Sequence, residues 1–434
     1  MAETPATAGS AEARSASAAD AKAAGAAPPP AAEERLVEAL RTVIDPELRR
    51  NIVELGMVES ARLDSEGIAH AKVLLTIAGC PMKDTISRDV RAALLGLEGV
   101  SEVSLELGAM TPEQRGALRD RLRAGAGRVN PFAQPDSLTR VIAVTSGKGG
   151  VGKSSMTANL AAALAAQGLR VGVLDADIYG FSIPAMLGVR AKPTKLEDMI
   201  LPVPGHGVSV MSIGMFVDPG QAVVWRGPML HRALEQFLTD VFWGELDILL
   251  LDLPPGTGDV AISTAQLLPG SELLIVTTPQ QAAAQVAERA GALATSTGQS
   301  VAGVVENMSW LEMPDGSRNP VFGAGGGRSV ADSLAERLTA AEREAASGEA
   351  ASSGDASAAG GGSAEEARSR GPVHVPLLGQ IPLDPLVREG ADAGVPAVLT
   401  HPDAPGPAAI IEVANRLRVR SRSLAGRSLG LSPR

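Results

Sequence analysis

One segment of the sequence has the residue types and the spacing that binding of a nucleoside triphosphate requires. It runs from Gly147 to Ser154 and matches the pattern G-x-x-x-x-G-K-[ST]. Glycines at these spacings let backbone N–H groups turn toward phosphate oxygens, and the helix that follows adds its positive dipole end. We expect Lys153 to reach the β- and γ-phosphates and the Ser154 hydroxyl to bind Mg²⁺. The predicted site comprises Gly147, Lys148, Gly149, Gly150, Val151, Gly152, Lys153, Ser154 and Ser155.

Three aspartates follow apolar runs elsewhere in the chain. Asp175 and Asp177 come directly after one run, and Asp252 ends the run Ile248–Asp252. Because the carboxyl ends of parallel strands border the ligand crevice, we expect these carboxylates near the phosphates. Asp252 is expected to hold the magnesium shell, and the turn at 254–256 to lie near the γ-phosphate. Helix capping is the alternative role for Asp175 and Asp177.

Regular elements that could position these residues begin near residue 140. Apolar strand candidates alternate there with helical stretches, and several are continuous apolar runs, as in parallel strands buried on both faces. A helix over 154–167, ended by Gly168, should follow the glycine-rich loop. The alternation predicts a doubly wound, mostly parallel α/β domain over 140–418. Its strand candidates are 141–145, 170–174, 208–213, 247–251, 272–277, 301–305 and 377–381.

A different pattern precedes this domain. Residues 33–129 are predicted to form a small α+β domain, with helices over 34–44 and 81–97 and strands over 68–77 and 101–107. A linker is expected over 130–139. Three segments are compositionally biased. Residues 1–32 are predicted to be a disordered tail, and residues 419–434 a basic tail. Residues from about 340 to 371 are predicted to be a disordered insertion that could begin as helix.

The composition limits the classes of partner. The 434 residues carry a formal net charge of −10, which disfavours a protein that coats nucleic acid. We expect neither a membrane span nor a signal peptide, because no long apolar run and no basic-then-apolar leader occurs. Cys80 is the one cysteine, so an internal disulfide is excluded. These features predict a cytoplasmic protein that neither binds nucleic acid nor inserts stably into a membrane.

The position of Lys148, directly after the first glycine of the loop, resembles the deviant Walker A class of MinD/Mrp/ParA-like dimeric ATPases. That resemblance implies a homodimer that binds ATP at its interface, with Lys148 reaching the partner's nucleotide. It further implies that Asp177 positions the attacking water, that Asp175 lies nearer the metal as a Mg²⁺ ligand, that Asn307 contacts the adenine base, and that turnover is slow. From the residues alone, Lys148 could be a solvated charge and Asn307 a turn residue.

Several motifs together resemble the Mrp/ApbC family of iron–sulfur cluster carrier ATPases. The N-terminal region is similar to the small SufT-like iron–sulfur assembly domain that precedes many such proteins. The resemblance implies an ATP-gated carrier or assembly factor whose partners are iron–sulfur assembly proteins or apo-protein clients. The motifs are 147–155, 175–180, 224–228, 252–259, 306–309 and 379–384, with 44–47, 51–58 and 76–81 in the N-terminal region.

The sequence departs from this family at the expected cluster ligands. The family commonly has Cys-Pro-x-Cys shortly after the segment 306–309, whereas Met313 and Gly316 stand at those two positions here. Neither residue can replace a thiolate. Cys80 remains as a candidate ligand, and a lowered pKa is expected if its thiol lies at a helix N-terminus. The alternative is that Cys80 is a small buried hydrophobe.

Other functions on the same fold make different predictions. A MinD/ParA-like positioning ATPase needs a membrane-binding helix or a basic DNA-binding face. The basic tail lacks a convincing amphipathic stripe and more simply reads as a solvated helix end, although it could touch acidic lipid or a partner. A small-molecule kinase would not need Lys148. An electron carrier of the nitrogenase-reductase type is disfavoured because the P-loop domain contains no cysteine.

Overall fold

The computed structural model describes residues 30–123, 128–178, 180–216, 227–256, 258–280, 283–352 and 372–419. They form two compact units. The first contains residues up to 44 together with 50–78 and 83–109, and the second contains 45–49, 79–82 and the residues from 110 onward. The predicted tails and the later part of the predicted insertion lie outside the described residues, apart from residues 30–32 and Val419, which are helical.

The first unit is a three-stranded sheet with helices. Its elements are α1 (Pro30–Leu40), β1 (Val58–Leu63), β2 (Ile68–Leu75), α2 (Lys83–Leu95) and β3 (Glu102–Ala109). Strand β2 lies in the middle, antiparallel to β1 and parallel to β3. The sheet and helices confirm the α+β class, although sequence reasoning missed β1.

The predicted helix over 34–44 is wrong at its end, because α1 ends at Leu40. The amides of Thr42 and Val43 bond to carbonyls three residues back rather than four, and the Thr42 hydroxyl donates to the Ala39 carbonyl. These tighter bonds replace the α-helical pattern before the proline at position 46 is reached.

The second unit is built on an eight-stranded sheet. Its elements in chain order are α3 (Pro112–Arg123), β4 (Arg140–Thr145), α4 (Lys153–Ala166), β5 (Val171–Asp175), α5 (Ile183–Met186), β6 (Thr194–Leu196), β7 (Met199–Leu201), β8 (Val203–Gly205), β9 (Val208–Ser212), α6 (Gly227–Thr239), β10 (Ile248–Asp252), α7 (Asp259–Leu267), β11 (Glu272–Thr277), α8 (Ala283–Thr297), β12 (Ser300–Asn307), β13 (Leu311–Glu312), β14 (Arg318–Asn319), α9 (Gly326–Ser352), β15 (Leu377–Ile381), α10 (Pro385–Ala393), α11 (Ala397–Thr400) and α12 (Pro405–Val419).

The order of strands in this sheet is β15-β12-β11-β4-β10-β5-β9-β8. All neighbours are parallel except β8 and β9, which are antiparallel. The chain moves from β4 toward β9, returns to β10 and continues to β15. This reversal makes the fold doubly wound, as predicted, and opens a crevice at the carboxyl ends of β4 and β10.

Helix α4 connects the glycine-rich loop to the core. It is buried along most of its length, and its small alanine side chains allow close packing against α12. Gly168 follows the helix at φ 85°, where the left-handed conformation favours glycine. The predicted helix and its glycine stop are confirmed.

Helix α9 continues to Ser352, so residues 340–352 are helical and the expected insertion begins as helix, as the sequence allowed. Their alanine, glutamate and arginine content explains the helix, because these residues have high helix propensity. Strand β8 was missed because Pro204 lies at its centre, and proline is confined to positions such as edge strands. Within the described ranges, no helix combines the length and apolar character needed to cross a membrane.

Candidate functional site

The glycine-rich loop connects the carboxyl end of β4 to the first turn of α4. Gly150 and Gly152 have φ values of 77° and 80°, so both are left-handed, as the sharp loop requires. The turn at 254–256 lies against this loop, since the Gly256 amide donates to the Ser146 carbonyl at 2.9 Å. The turn therefore lies beside the phosphate loop, and its expected position near the γ-phosphate stays a prediction.

Asp252 is the centre of the site. Ser154 Oγ donates to Asp252 Oδ2 at 2.5 Å, and Thr157 Oγ1 donates to Asp252 Oδ1 at 2.8 Å. Lys153 Nζ lies 2.7 Å from Asp252 Oδ2, and the two side chains are 7% and 0% exposed. A buried ion pair needs further hydrogen bonds to offset desolvation, and the two hydroxyls supply them. Sequence reasoning found Asp252, Lys153 and Ser154 but missed Thr157.

Asp175 lies at the tip of the neighbouring strand β5. Its Oδ2 accepts hydrogen bonds from the amides of Ser182 and Ile183 at 3.1 and 3.2 Å and from Ser212 Oγ at 3.2 Å. Burial, and then the negative charge of Asp252, raise the pKa of Asp175 to about 7. A nearby cation would favour its charged form.

The donor set at this edge fits Mg²⁺. The expected ligands are Ser154, Asp175 and Asp252, and they offer only oxygen atoms, which Mg²⁺ prefers. The Lys153 ammonium already forms an ion pair with Asp252, so this carboxylate is placed to bind a cation. Among the described residues, no three acidic, histidine or cysteine side chains are arranged to hold a metal by themselves. Mg²⁺ is commonly bound through one or two carboxylates, several waters and the phosphates of the substrate.

Asp177 lies on the loop that follows β5, close to the same lysine. Its Oδ1 accepts from the Gly180 amide at 3.1 Å, and its Oδ2 lies 4.0 Å from Lys153 Nζ. The residue is buried. The structure therefore brings Asp177, Lys153 and Asp252 together, as the sequence predicted. The role of Asp177 in orienting the attacking water stays a prediction.

Lys148 makes its contact within its own subunit. Its Nζ donates to Gln280 Oε1, just beyond β11. Arg289 braces the same loop, since its NH1 donates to the Gly147 carbonyl at 2.8 Å. A Cβ at Gly147 would lie 2.7 Å from Val286, so a glycine is needed for this close approach. Neither Gln280 nor Arg289 was found from the sequence.

Asn307 is the last residue of β12, and its side chain contacts the phosphate loop. Its Nδ2 donates to the Val151 carbonyl at 2.9 Å, and a Cβ at Gly152 would come within 2.3 Å of that nitrogen. The next residue, Met308, adopts a left-handed φ of 58°, which is strained for a side chain of its size. Contact between Asn307 and an adenine base stays a prediction.

A glycine-rich stretch at 323–327 packs against strand β12, the strand that ends at Asn307. Glu306 is buried and accepts from the Gly327 amide at 2.5 Å and from Gln380 Nε2 at 2.7 Å. A Cβ at Gly327 would lie 2.6 Å from Glu306 Cβ. The glycine therefore allows α9 to begin directly against β12, beside Asn307.

Cys80 lies apart from the phosphate loop in sequence, and its environment contradicts the expectation for it. The residue is 6% exposed. Its Sγ donates to Glu47 Oε2 at 3.6 Å. Burial, together with the charge of Glu47, raises the pKa of Cys80 to about 12. The predicted lowering is therefore wrong: the Met82 amide acts in that direction, but burial has the larger effect.

The hairpin β13–β14 carries the two positions that lack cysteine. Met313 is 38% exposed there, and Gly316 has a φ of 80° at the turn. The Arg318 guanidinium lies 4.1 Å from the centre of the Trp310 ring, a cation–π contact that fixes the base of the hairpin.

Known proteins resemble both parts of the chain. Residues 137–355 match a family described as ParA, the NUBPL iron-transfer P-loop NTPase, and residues 33–105 match one described as an iron–sulfur cluster assembly protein. A protein named iron–sulfur cluster carrier protein from Mycobacterium tuberculosis is 54% identical over 396 residues, covering 91% of this chain and 95% of that protein. The protein of the same name from Deinococcus radiodurans is 43% identical over 394 residues, with coverages of 90% and 94%. A solved nucleotide-binding protein from Archaeoglobus fulgidus in complex with ADP is 32% identical, covering 60% of this chain and 92% of that chain, with a TM-score of 0.44.

Proposed function

Because this chain belongs to the iron–sulfur cluster carrier family of P-loop NTPases, we propose that it is a homodimeric ATPase that uses ATP to load and release an iron–sulfur cluster. The observation that carries the ATPase part is the convergence of Lys153, Ser154 and Thr157 on Asp252, beside the glycine-rich loop. In this arrangement a lysine, a hydroxyl and a carboxylate are already placed for a Mg²⁺-bound triphosphate.

Each side chain has a defined task in the proposed hydrolysis. Lys153 would exchange its contact with Asp252 for the β- and γ-phosphates, and Ser154 and Asp252 would hold Mg²⁺. When bound, Mg²⁺ neutralises charge on the phosphates. Asp177, 4.0 Å from Lys153 Nζ, orients the attacking water. These groups stabilise charge rather than forming a covalent intermediate, and we expect slow turnover.

Lys148 supports the dimeric part of the proposal. In the isolated subunit it is held by Gln280. When two subunits close over ATP, Lys148 leaves Gln280 and binds the phosphates in the partner, and hydrolysis reopens the dimer. The exchange is favoured because phosphate carries negative charge, so the Lys148 ammonium gains an ion pair that the neutral Gln280 amide cannot offer.

The cluster is the cargo, and this chain offers few ligands for it. Its single cysteine, Cys80, supplies two thiolates per dimer, whereas protein-bound clusters generally use four. Cys80 must also lose a proton that its surroundings hold firmly, because a metal ligand must be deprotonated. We therefore propose that Cys80 holds the cluster transiently and that an assembly protein or an apo-protein client supplies the other ligands.

The resemblance to positioning ATPases does not favour a second function. The match at 33–105 is to an iron–sulfur assembly protein, which has no place in a membrane- or DNA-positioning scheme. We propose that the chain acts in the cytoplasm, where reducing conditions keep a single thiol available.

The ATPase proposal is tested with Asp177→Asn. Phosphate release should fall at least about 100-fold, while fluorescent ATP still binds. Asp332→Asn, at an exposed position of α9, is the matched control and should hydrolyse normally. Unchanged hydrolysis by Asp177→Asn would remove Asp177 from the mechanism.

The cargo proposal is tested by anaerobic reconstitution with iron and sulfide, followed by desalting and metal analysis. The unmodified dimer should retain a cluster that Cys80→Ser does not. Retention by both proteins would assign the cluster to other ligands. Retention by neither would leave an ATPase that serves a separate carrier.

A further inference from the structure

A groove of about 410 Å³ opens at the carboxyl edge of the large sheet, in the loops that follow β5 and β9. We propose that this groove docks a short segment of a client protein in which apolar side chains alternate with carboxylates. The phosphate loop follows β4, and none of its residues lines the groove. The groove is thus a separate site at the same edge of the sheet as the nucleotide.

The floor of the groove is apolar. Phe181 is 44% exposed and contributes an apolar surface to the groove. Its ring packs closely against Gly214, where a Cβ would come within 2.2 Å of the ring. Pro184 and Met215 extend the same surface. Covering these side chains would release free energy in proportion to the apolar area removed from water.

The rim of the groove is positive in a chain whose net charge is −10. Arg190 and Lys192 line it, and the run 189–195 contains three basic residues and no acidic residue. Arg190 forms no ion pair with any residue that the structure describes. The acidic residue of the lining, Asp392, pairs with Arg388 at 2.6 Å. Charge complementarity therefore favours an occupant that carries carboxylates.

Two walls of the groove, the segments after β5 and after β9, are tied to one carboxylate oxygen of the nucleotide site, while the end of α10 forms a third side. From one wall, the amides of Ser182 and Ile183 donate to Asp175 Oδ2. From the other, Ser212 Oγ donates to the same oxygen at 3.2 Å and accepts from the Gly214 amide at 3.1 Å. An occupant that shifts either wall must therefore disturb Asp175. Because coupling between two sites is reciprocal, nucleotide and occupant should alter each other's affinity.

The identification of the occupant as a client segment rests on the proposed carrier function, since a carrier must recognise the proteins it serves. The groove is open on one side and too small for a folded domain, so it suits an extended segment. The exposed Phe181 and Arg190 offer one apolar and one charged contact, which together select for sequence.

The probe for this proposal is the amidated, fluorescein-labelled peptide GDLELDG, measured by anisotropy with the full chain. The peptides GKLKLKG and GDSESDG remove the negative charge and the apolar side chains in turn. Both should bind at least about tenfold more weakly than GDLELDG. Absence of saturable binding of GDLELDG up to about 1 mM would overturn the proposal.

Two arginine variants localise the binding. Arg190→Glu should weaken peptide binding at least about tenfold, whereas Arg337→Glu, at an exposed position of α9, should leave it unchanged. Phe181→Ala should also weaken it and serves as a second, uncharged test. Equal binding to Arg190→Glu and Arg337→Glu would overturn the assignment to this groove. Full competition by hexanoate at equal concentration would show a small-carboxylate site instead of a docking site.

The coupling is measured as the affinity of fluorescent ATP with and without saturating peptide, which should differ at least about fivefold. Equal affinities would overturn the link through Asp175. None of these measurements involves a cluster or hydrolysis. If cluster reconstitution fails while the peptide still binds, only the proposed cargo is contradicted. If the cluster is retained but the peptide does not bind, only the docking groove is contradicted.

Discussion

The Ser154 hydroxyl donates to Asp252 Oδ2 at 2.5 Å, joining the first turn of α4 to the tip of β10 across 98 positions of sequence. The same oxygen lies 2.7 Å from Lys153 Nζ. One carboxylate therefore holds both phosphate-loop side chains expected to meet ATP and Mg²⁺. The contact keeps the loop assembled and places the hydroxyl beside a carboxylate for a shared cation.

Removal of the Ser154 hydroxyl should separate nucleotide binding from its dependence on magnesium. In Ser154→Ala, ATP should still bind, but Mg²⁺ should no longer strengthen binding, and kcat should fall at least about 100-fold. Titration of fluorescent ATP with and without Mg²⁺ checks this. Ser154→Thr keeps a hydroxyl and should retain most activity. An equal loss in both variants would point to packing instead.

Loss of the Lys148 amine should abolish closure of the dimer and leave the nucleotide site of each subunit usable. Lys148→Ala should bind ATP within about threefold of the unmodified chain, yet remain monomeric by light scattering and hydrolyse at least about 100-fold more slowly. Gln280→Ala frees the lysine and should favour the ATP-bound dimer. If Lys148→Ala still dimerises with ATP, the proposed reach across the interface is wrong.

The raised pKa of Cys80 should make its thiol slow to react. With a pKa of about 12 in place of the ordinary 9.0, the thiolate fraction at pH 8 falls about 1,000-fold. Alkylation by iodoacetamide should be correspondingly slow and should still accelerate above pH 10, because the proton is lost only at high pH.

Two comparisons separate the causes of this shift. Glu47→Gln removes the nearest negative charge and should speed alkylation, whereas unfolding in urea should restore the rate of a free cysteine. A rate that reaches its plateau near pH 9 in the folded protein would contradict the raised pKa.

A side chain at Gly327 should destabilise the second unit. Gly327→Ala places a Cβ 2.6 Å from that of Glu306, and overpacking of this kind costs about 1–3 kcal/mol in the free energy of unfolding. Urea denaturation measures the loss. Gly116→Ala, where nothing lies within 4 Å of the new Cβ in α3, should instead stabilise by about 1 kcal/mol. If both substitutions change the free energy of unfolding in the same direction, the contact with Glu306 does not decide the effect of Gly327→Ala.

The sequence predicted those parts of the site that depend on local spacing. The loop at 147–154, the carboxylate of Asp252 at a strand end and the doubly wound class are all short-range patterns combined with one topological rule. Thr157 and Arg289 could not be found in this way. Their bonds to Asp252 and Gly147 span 95 and 142 positions, so they depend on which strands become neighbours.

Cys80 shows a second limit. A cysteine directly before a predicted helix, here 81–97, is expected from local sequence to be an activated thiol, because a helix N-terminus favours a thiolate. The pKa is instead decided mainly by burial and then by Glu47, which lies 33 positions away and 3.6 Å from the sulfur. Neither depth in the protein nor such a neighbour is encoded in local spacing.

The large sheet ends at β8, a three-residue strand with Pro204 at its centre. A proline has no amide hydrogen, and so short a strand presents few backbone groups to a newcomer. Another chain therefore gains little by adding its own strand at this end. Newly synthesised copies that meet in the cell are therefore less prone to polymerise or aggregate by pairing strands at this edge, and contacts between them at this edge are made mainly by side chains.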